Sequence, residues 1–222
     1  MATDSLSEQP SEALTELFFD CEQPDERDAI FEILAGRTDA TSRAFLEAVM
    51  GHDEDPFMQA QAAHALLAQG MEAARAHLLQ ILHEGGDELL FEEALVALVQ
   101  VDGPGLFGVL EAIARDEQRD LSERRLAMVG MDQADAEASL STCRQLLRAG
   151  DALRGLPLDL LSFAVGALVR SGTPEDRQLL DAAVAQLPPA AGWPDPDDRE
   201  AVLDVLAEGQ ALMNAEATEE AS

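Results

Sequence analysis

Histidine is the residue type here that most readily ligates a metal or transfers a proton, and the four copies lie between His52 and His83. His77 and His83 are six residues apart, so on one helix they would not share a face as an i, i+4 pair of zinc ligands does. His52 stands directly before the acidic turn 53–55, where a metal could bind. A metal enzyme built on this turn is one hypothesis, but a single histidine in a charged loop is more often solvated. We expect neither a metal nor another cofactor.

Other catalytic patterns are missing from the sequence. It has no phosphate-binding loop, no Gly-x-Ser-x-Gly elbow and no Cys-x-x-Cys pair. Glu92 and Glu93 are adjacent, and neighbours on a helix diverge, which is the wrong geometry for acid and base catalysis across one bond. Cys21 and Cys143 match no disulfide or metal-ligand spacing, so we expect both to be reduced, small apolar residues. We therefore predict that the protein is not an enzyme.

The composition predicts an all-α protein. Apolar residues make up 47% of the 222 residues and are mostly Ala and Leu, whereas aromatic residues make up 4% and Tyr is absent. This balance favours helices over strands. Residues 1–10 lack the basic and apolar parts of a signal peptide, and we expect a cytoplasmic protein without membrane contact. All 14 basic residues are Arg, which is typical of a GC-rich bacterial genome.

Acidic residues dominate the charge, because 44 Asp and Glu against 14 Arg give a net charge of −30. Such a surface repels phosphate, since nucleic-acid affinity comes largely from Lys and Arg that displace counterions. We therefore predict no direct binding of nucleic acid, and a protein partner with a basic surface. Adaptation to a saline cytoplasm is a second interpretation of the acid excess, and the sequence leaves both open.

An internal repeat organises the chain. Equivalent leucines stand at Leu46, Leu78, Leu110, Leu147 and Leu180. Their spacing is that of a helix pair. The predicted pairs are 11–20 with 25–35, 39–50 with 56–69, 71–84 with 88–101, 105–116 with 121–132, 136–149 with 157–171, and 174–187 with 197–213. We predict a single domain over 11–214 with disordered polar tails at 1–10 and 215–222.

Local signals mark the helix ends. An N-cap residue followed by Pro stands at Asp55-Pro56 and at Thr173-Pro174. The glycines expected to take the left-handed conformation after a helix are Gly36, Gly70 and Gly172. Trp193, in the Pro-rich loop before the last helix, is expected to pack over the terminal repeat.

The segment from Asp55 to Gly70 resembles the second helix of a HEAT-like repeat of the short phycobilisome-lyase type. In that pattern an Asp opens the turn, an Ala-Ala pair (here Ala62-Ala63) lets neighbouring helices approach, and Leu and Gly close the helix. Weaker copies begin at Glu92 and Phe163. The resemblance implies a right-handed α-solenoid, or superhelix, of about six antiparallel helix pairs with the second helices on its concave face.

Arginines stand three residues before four of the five repeat leucines. They are Arg43, Arg75, Arg144 and Arg177. The resemblance implies that such a residue pairs with an acid of the neighbouring repeat. Recognition of carboxylates on a ligand is the alternative.

The predicted pairs divide the loops into two edges, with a summed charge of −13 for loops within pairs and −4 for loops between pairs. We call the former the acidic edge. Acids before a second helix also stabilise the helix dipole, by about 0.3–1 kcal/mol each, so this edge has a structural interpretation beside the functional one of steering a basic partner. The candidate partner-binding residues are Asp53, Glu54, Asp55, Glu84, Asp87, Glu88, Glu92, Glu93, Asp116, Glu117 and Asp120.

These features favour a non-catalytic protein-binding scaffold or adaptor that uses the concave face and the acidic edge of the solenoid. The alternative is an acidic inhibitor or immunity-type protein that blocks the basic site of a nuclease or another DNA-binding protein.

Overall fold

The computed structural model describes residues 6–148, 153, 156–189, 193 and 195–220, and every regular element in this part of the chain is helical. The helices are α1 (Ser11–Asp20), α2 (Pro24–Ala35), α3 (Ala40–His52), α4 (Pro56–Ala68), α5 (Glu72–Glu84), α6 (Glu88–Arg115), α7 (Leu121–Ala134), α8 (Ala136–Arg148), α9 (Leu158–Ser171), α10 (Pro174–Ala185) and α11 (Pro196–Glu220). The all-α prediction is confirmed.

The predicted helices 88–101 and 105–116 are the two halves of α6, and the predicted break between them coincides with a kink. The backbone of α6 leaves helical geometry at Asp102, where φ is −144° and ψ is 50°. Pro104 accounts for this kink, because proline has no N–H to donate and its ring clashes with the preceding turn. Within the described residues α6 is the one helix long and apolar enough to cross a bilayer, with a mean hydropathy of 1.4 over an 18-residue window, and core helices of soluble proteins pass the same test.

The helices form two compact units, residues 1–102 and residues 103–222, where the sequence predicts a single domain over 11–214. In the first unit each helix from α1 to α4 packs on the next helix along the chain, and α1 also packs on α3. In the second unit each helix from α7 to α10 packs on the next helix, and α7, α8 and α9 also pack on the helix after that. This is the packing of stacked helix pairs in an α-solenoid, with first helices in one layer and second helices in the other. The handedness stays a prediction.

The repeat leucines lie in the cores of the units, as their register predicts. Leu46, Leu78, Leu110, Leu147 and Leu180 are all buried, with at most 2% of the surface exposed. In the first unit Phe18 and Phe45 add an edge-to-face contact between α1 and α3, with ring centroids 4.8 Å apart. The Ala62-Ala63 pair of α4 is fully buried, which fits its expected role in letting neighbouring helices approach.

The helix ends follow the predicted signals with one error. The side chain of Asp55 accepts a hydrogen bond from the N–H of Phe57, and Thr173 accepts one from the N–H of Asp176. Gly70 and Gly172 have positive φ, of 83° and 63°. The prediction for Gly36 is wrong, since its φ is −75° and its N–H donates to the carbonyl of Glu32 as in a continuing helix.

Close helix contact in the second unit depends on a glycine. A Cβ atom placed on Gly209 of α11 would lie 2.3 Å from Cγ1 of Val165 on α9. Trp193 is 7% exposed, and its indole N–H donates to the carbonyl of Pro188 at 3.2 Å. Trp193 is therefore a packed residue next to the last helix, as expected.

The predicted tails are only partly within the described residues. Residues 1–5 lie outside them, but Leu6 is buried, and the guanidinium of Arg37 donates to the carbonyls of Ser7 and Gln9. At the other end α11 continues to Glu220, and residues 221–222 lie outside the described part.

Candidate functional site

The first candidate acids of the acidic edge lie in the turn between α3 and α4. Asp53 is not free there, because its side chain is only 5% exposed and its Oδ2 lies 2.5 Å from Nη2 of Arg27. Asp53 also accepts a hydrogen bond from the N–H of Asp55, which in turn caps α4. These two acids therefore stabilise the turn, whereas Glu54 between them is exposed.

The next turn of this edge lies between α5 and α6. Asp87 accepts a hydrogen bond from the N–H of Leu90, as an N-cap does. Glu84 accepts one from the side-chain amide of Gln80. Glu88 and Glu92 are exposed on the first turns of α6, and like Glu54 they have no ion pair or side-chain hydrogen bond within the described part of the chain. The structure thus separates acids used in folding from acids available to a partner.

Three of the eleven candidate acids belong to the second unit. Asp116, Glu117 and Asp120 are exposed in the turn before α7. Asp116 accepts a hydrogen bond from the N–H of Gln118 and lies 3.9 Å from Arg119. The acids of the predicted edge are therefore divided between two units.

A cleft on the second-helix face of the first unit was not foreseen. It has a volume of about 550 Å³ and is lined by α2, α4 and the first half of α6. Its apolar wall is formed by Phe31, Phe57, Met58 and Ala65. Phe57 is 37% exposed although it is a large apolar residue. We call this site the α2–α4 cleft.

The charged residues of the α2–α4 cleft are nearly all acids. Four carboxylates line it, and no arginine does; the acids are Asp28, Glu32, Asp55 and Glu93. Asp28 and Glu32 are exposed on one face of α2, four residues apart. Neither has an ion pair or a side-chain hydrogen bond among the described residues, and Arg27 beside them faces Asp53 instead. The cleft therefore presents available negative charge beside apolar surface.

His64 is the one basic side chain that lines the cleft. Its Nδ1 lies 2.6 Å from Oε1 of Glu93, and its Nε2 lies 3.4 Å from Oε1 of Gln100. The hydrogen bond to Glu93 raises the pKa of His64, and partial burial opposes this only in part. Two acceptors around one ring favour the imidazolium, which donates from both nitrogens. Glu93 is thus paired across the cleft rather than exposed on the acidic edge.

The turn proposed for a metal is built differently from a metal site. His52 and residues 53–55 do line a second cleft of about 530 Å³ together with Phe19 and Arg27. However, the carboxylate of Asp53 is taken by Arg27, and that of Asp55 caps α4. In the described part of the chain no three His, Cys, Asp or Glu residues converge as ligands.

The aligned arginines stabilise the fold. Arg144 pairs with Asp176 of the next helix pair, with nitrogen–oxygen distances of 2.7 and 2.9 Å, as the resemblance implies. The other three bond within their own pair instead. Arg43 donates to Gln69, Arg75 to Asp102, and Arg177 to the carbonyl of Met213. None of the four lines the α2–α4 cleft.

The two cysteines are free thiols, as expected. Cys143 is buried, and this burial raises the pKa of its thiol to about 11, so that it is unreactive at neutral pH. Cys21 is half-buried, and its Sγ lies 3.4 Å from the carbonyl of Gln23.

The predicted site omitted Asp28, Glu32 and Phe31, because it was based on the charge of the loops. The signal was present, since acids four residues apart with an aromatic residue between them define one face of α2. What the sequence lacked was the partner helix. Only the packing of α2 near α4 shows that this face borders a cleft with Phe57 and His64.

Comparison with known proteins gives one match. Residues 11–99 match the family model of HEAT repeats. No curated protein and no solved structure shows significant similarity to the chain. The match covers most of the first unit and includes the α2–α4 cleft, and the narrower likeness to the phycobilisome-lyase type stays a prediction.

Proposed function

Since the chain is a HEAT-like repeat protein, we propose that it is a non-catalytic protein-binding scaffold or adaptor that uses the second-helix face and acidic edge of its first unit. HEAT repeats are common scaffolds for protein interaction. The observation that carries the proposal is the α2–α4 cleft, which joins apolar walls to exposed carboxylates. In stacked helix pairs such a face is the extended surface used for binding.

The proposed partner is a protein with a basic surface. Glu54, Glu88 and Glu92 are exposed next to the cleft-bearing helices and are not neutralised within the described residues. Unneutralised acids attract a basic partner over several ångströms and raise its association rate. The same charge repels nucleic acid and anionic lipid. The proposed setting is a bacterial cytoplasm, and the proposal involves no cofactor.

The test is capture of a partner by matched variants. Ala68→Arg places a long cation in the α2–α4 cleft, whereas Ala73→Arg makes the same change on exposed α5, outside the cleft. We expect the unchanged protein and Ala73→Arg to recover the same protein from an extract of the native cell, and Ala68→Arg to lose it. Reproducible failure to recover any protein, or equal recovery by all three, would contradict the proposal.

The first unit also supports the alternative of an acidic inhibitor, because its 22 acids and 4 bases give residues 1–102 a net charge of −18. An inhibitor of this kind would compete with nucleic acid for the basic site of a nuclease or another DNA-binding protein. A gel-shift competition assay tests it. We expect an inhibitor to displace DNA from its target and Glu54→Gln with Glu88→Gln to weaken the displacement. Indifference of all candidate nucleases counts against this alternative and leaves the scaffold proposal intact.

A further inference from the structure

We infer that the α2–α4 cleft docks a basic amphipathic segment of another protein, whose apolar side chains contact Phe31, Phe57 and Met58 while its Arg or Lys side chains reach Asp28 and Glu32. This inference rests on the proposed function and names the chemistry of the occupant. It concerns the cleft, not the acidic edge.

The size and walls of the cleft fit apolar side chains. Its volume of about 550 Å³ lies within the range of about 300–1,000 Å³ that is typical of ligand clefts. Phe57 is 37% exposed. Ala65 and Ala68 have short side chains on the nearby part of α4, so the backbone of a bound segment can approach α4 closely. Burying such surface is favourable by about 25 cal/mol per Å² of apolar area.

Charge selects a basic occupant over the other candidates. Four carboxylates face one imidazole in the cleft, so an incoming guanidinium or ammonium group gains charge-assisted hydrogen bonds that a neutral or acidic segment cannot make. A second copy of this chain carries the same net charge of −30 and would be repelled. Nucleic acid and anionic membranes are repelled for the same reason.

His64 makes the docking sensitive to pH. It is the one basic side chain that lines the cleft, it is held by Glu93 and Gln100 of α6, and it shares the cleft with Asp28 and Glu32 of α2 and Asp55 before α4. When the imidazolium loses its proton, the net negative charge of the cleft rises by one. Because the bond to Glu93 raises the pKa of His64 above its ordinary value, this change falls on the alkaline side of that value, and a basic segment binds more tightly once the proton is lost.

The experiment measures binding of a synthetic peptide to the full chain by fluorescence anisotropy. The probe has about four helical turns with Leu at i, i+3 and i+4 spacing and Arg on the flanks. One control peptide replaces each Arg with Glu, and another keeps the composition but scrambles the spacing. We expect binding of the first peptide and about tenfold weaker binding of both controls.

Matched variants locate the binding. Asp28→Arg with Glu32→Arg reverses two charges in the cleft, and we expect about tenfold weaker binding of the basic peptide. Glu47→Arg with Glu72→Arg reverses two exposed acids on α3 and α5 outside the cleft, and we expect a change of less than about twofold. Circular dichroism checks that both proteins remain folded. Equal loss in both would show non-specific charge attraction and would overturn the inference.

The last measurement of the experiment is a pH series. Between about pH 6 and about pH 8 we expect the unchanged protein to bind the basic peptide several-fold more tightly as the pH rises. We expect His64→Gln to bind with little pH dependence. Binding that weakens with rising pH, or that changes equally in His64→Gln, would overturn the role of His64.

The outcomes separate this inference from the proposed function. Indifference to the basic peptide, together with capture of a cellular protein that Ala68→Arg abolishes, would overturn the inference and support the scaffold. Concentration-dependent self-association through the cleft, seen by sedimentation and lost in Ala68→Arg, would also overturn it, since the occupant would then be a second copy.

Discussion

Residues 1–102 carry 22 acids and 4 bases, whereas residues 103–222 carry 22 acids and 10 bases. Helices pack on their neighbours along the chain in both units, and the two units differ in what their acids do. In the second unit Glu123, Asp159 and Asp176 are buried or nearly so, and each is held by an arginine. In the first unit Asp28, Glu32, Glu54, Glu88 and Glu92 are exposed and unneutralised within the described residues.

Acidic residues serve two purposes in this repeat protein. Buried acids need a partner, because an unpaired buried charge is costly. Exposed acids cost little and attract basic partners. The second unit therefore uses Asp159 and Asp176 to join helices, and the first unit leaves Asp28 and Glu32 to the α2–α4 cleft.

The first-helix layers of the two units show the same contrast on a smaller scale. In the first unit Asp39 joins α3 to α1 by accepting hydrogen bonds from Ser11 and Ser42, and these bonds with the N–H of Ser42 and Thr41 lower its pKa to about 2. In the second unit Asp176 joins α10 to α8 through Arg144. The contact between α1 and α3 thus depends on hydroxyls, and the contact between α8 and α10 depends on a guanidinium.

Asp176→Ala is expected to have the largest effect on stability. The carboxylate of Asp176 is 1% exposed and accepts hydrogen bonds from Arg144, Ser171 and Thr173. Its removal leaves these donors without their acceptor, and we expect a loss of about 3–5 kcal/mol in the free energy of unfolding of the second unit. Urea denaturation measures this loss. Glu175→Ala, at the exposed neighbouring position, is the control and should change the free energy by less than about 0.5 kcal/mol.

Acid should weaken the same contact without a mutation. The bond to Arg144, with those to Ser171 and Thr173, lowers the pKa of Asp176 from 3.8 to about 2. A lowered carboxyl pKa means stability that is present above pH 3.8 and is lost as the pH falls through about 2. We expect a loss of about 2 kcal/mol over this interval, measured by urea denaturation at each pH. In Asp176→Asn the second unit should lose much less over the same interval, and an equal loss would contradict this origin.

More of the helix architecture than of the candidate site could be predicted from the sequence. Helix starts followed from caps such as Asp55 and Thr173, and the helix-pair register followed from Leu46 and its equivalents, because both are local patterns of one chain segment. The break between 101 and 105 was also predicted, and the structure shows it as a kink at Asp102, since a proline can bend a helix or end it and only packing decides which. Gly36 was assigned a left-handed conformation that its helix end does not use.

The cleft could not be derived in the same way. Asp28 and Glu32 were visible as acids, but which of them would find an arginine depends on which helices meet. Arg27 turns to Asp53 on a neighbouring turn and leaves Asp28 without it. Likewise His64 looked like an isolated histidine until α6 placed Glu93 2.6 Å from it. Long-range pairing of charges is a property of packing, and a single sequence does not encode it in any local pattern.

Gly209→Ala tests helix packing in the second unit rather than the pairing of charges. The added Cβ would lie 2.3 Å from Cγ1 of Val165, and a β-branched side chain moves away only at a cost. We expect a net loss of about 1–2 kcal/mol in the second unit by thermal or urea unfolding. The control in the first unit is Gly51→Ala, where no heavy atom lies within 4 Å. It should stabilise α3 by about 0.5–1 kcal/mol, and a loss there would contradict the assignment.

The smallest expected effect concerns the acidic edge of the first unit. It distinguishes acids that stabilise the fold from acids that are available to a partner. Asp55→Ala removes the acceptor that caps α4 at the N–H of Phe57, and we expect a loss of about 1 kcal/mol, seen as faster amide exchange in α4. Asp55→Asn keeps a capping oxygen and should lose less. Glu54→Ala, one residue away and exposed, should change stability by less than about 0.5 kcal/mol. If Glu54→Ala cost as much as Asp55→Ala, the exposed acids would be part of the fold, and the division between cohesive and available acids would fail in the unit where it is needed for binding.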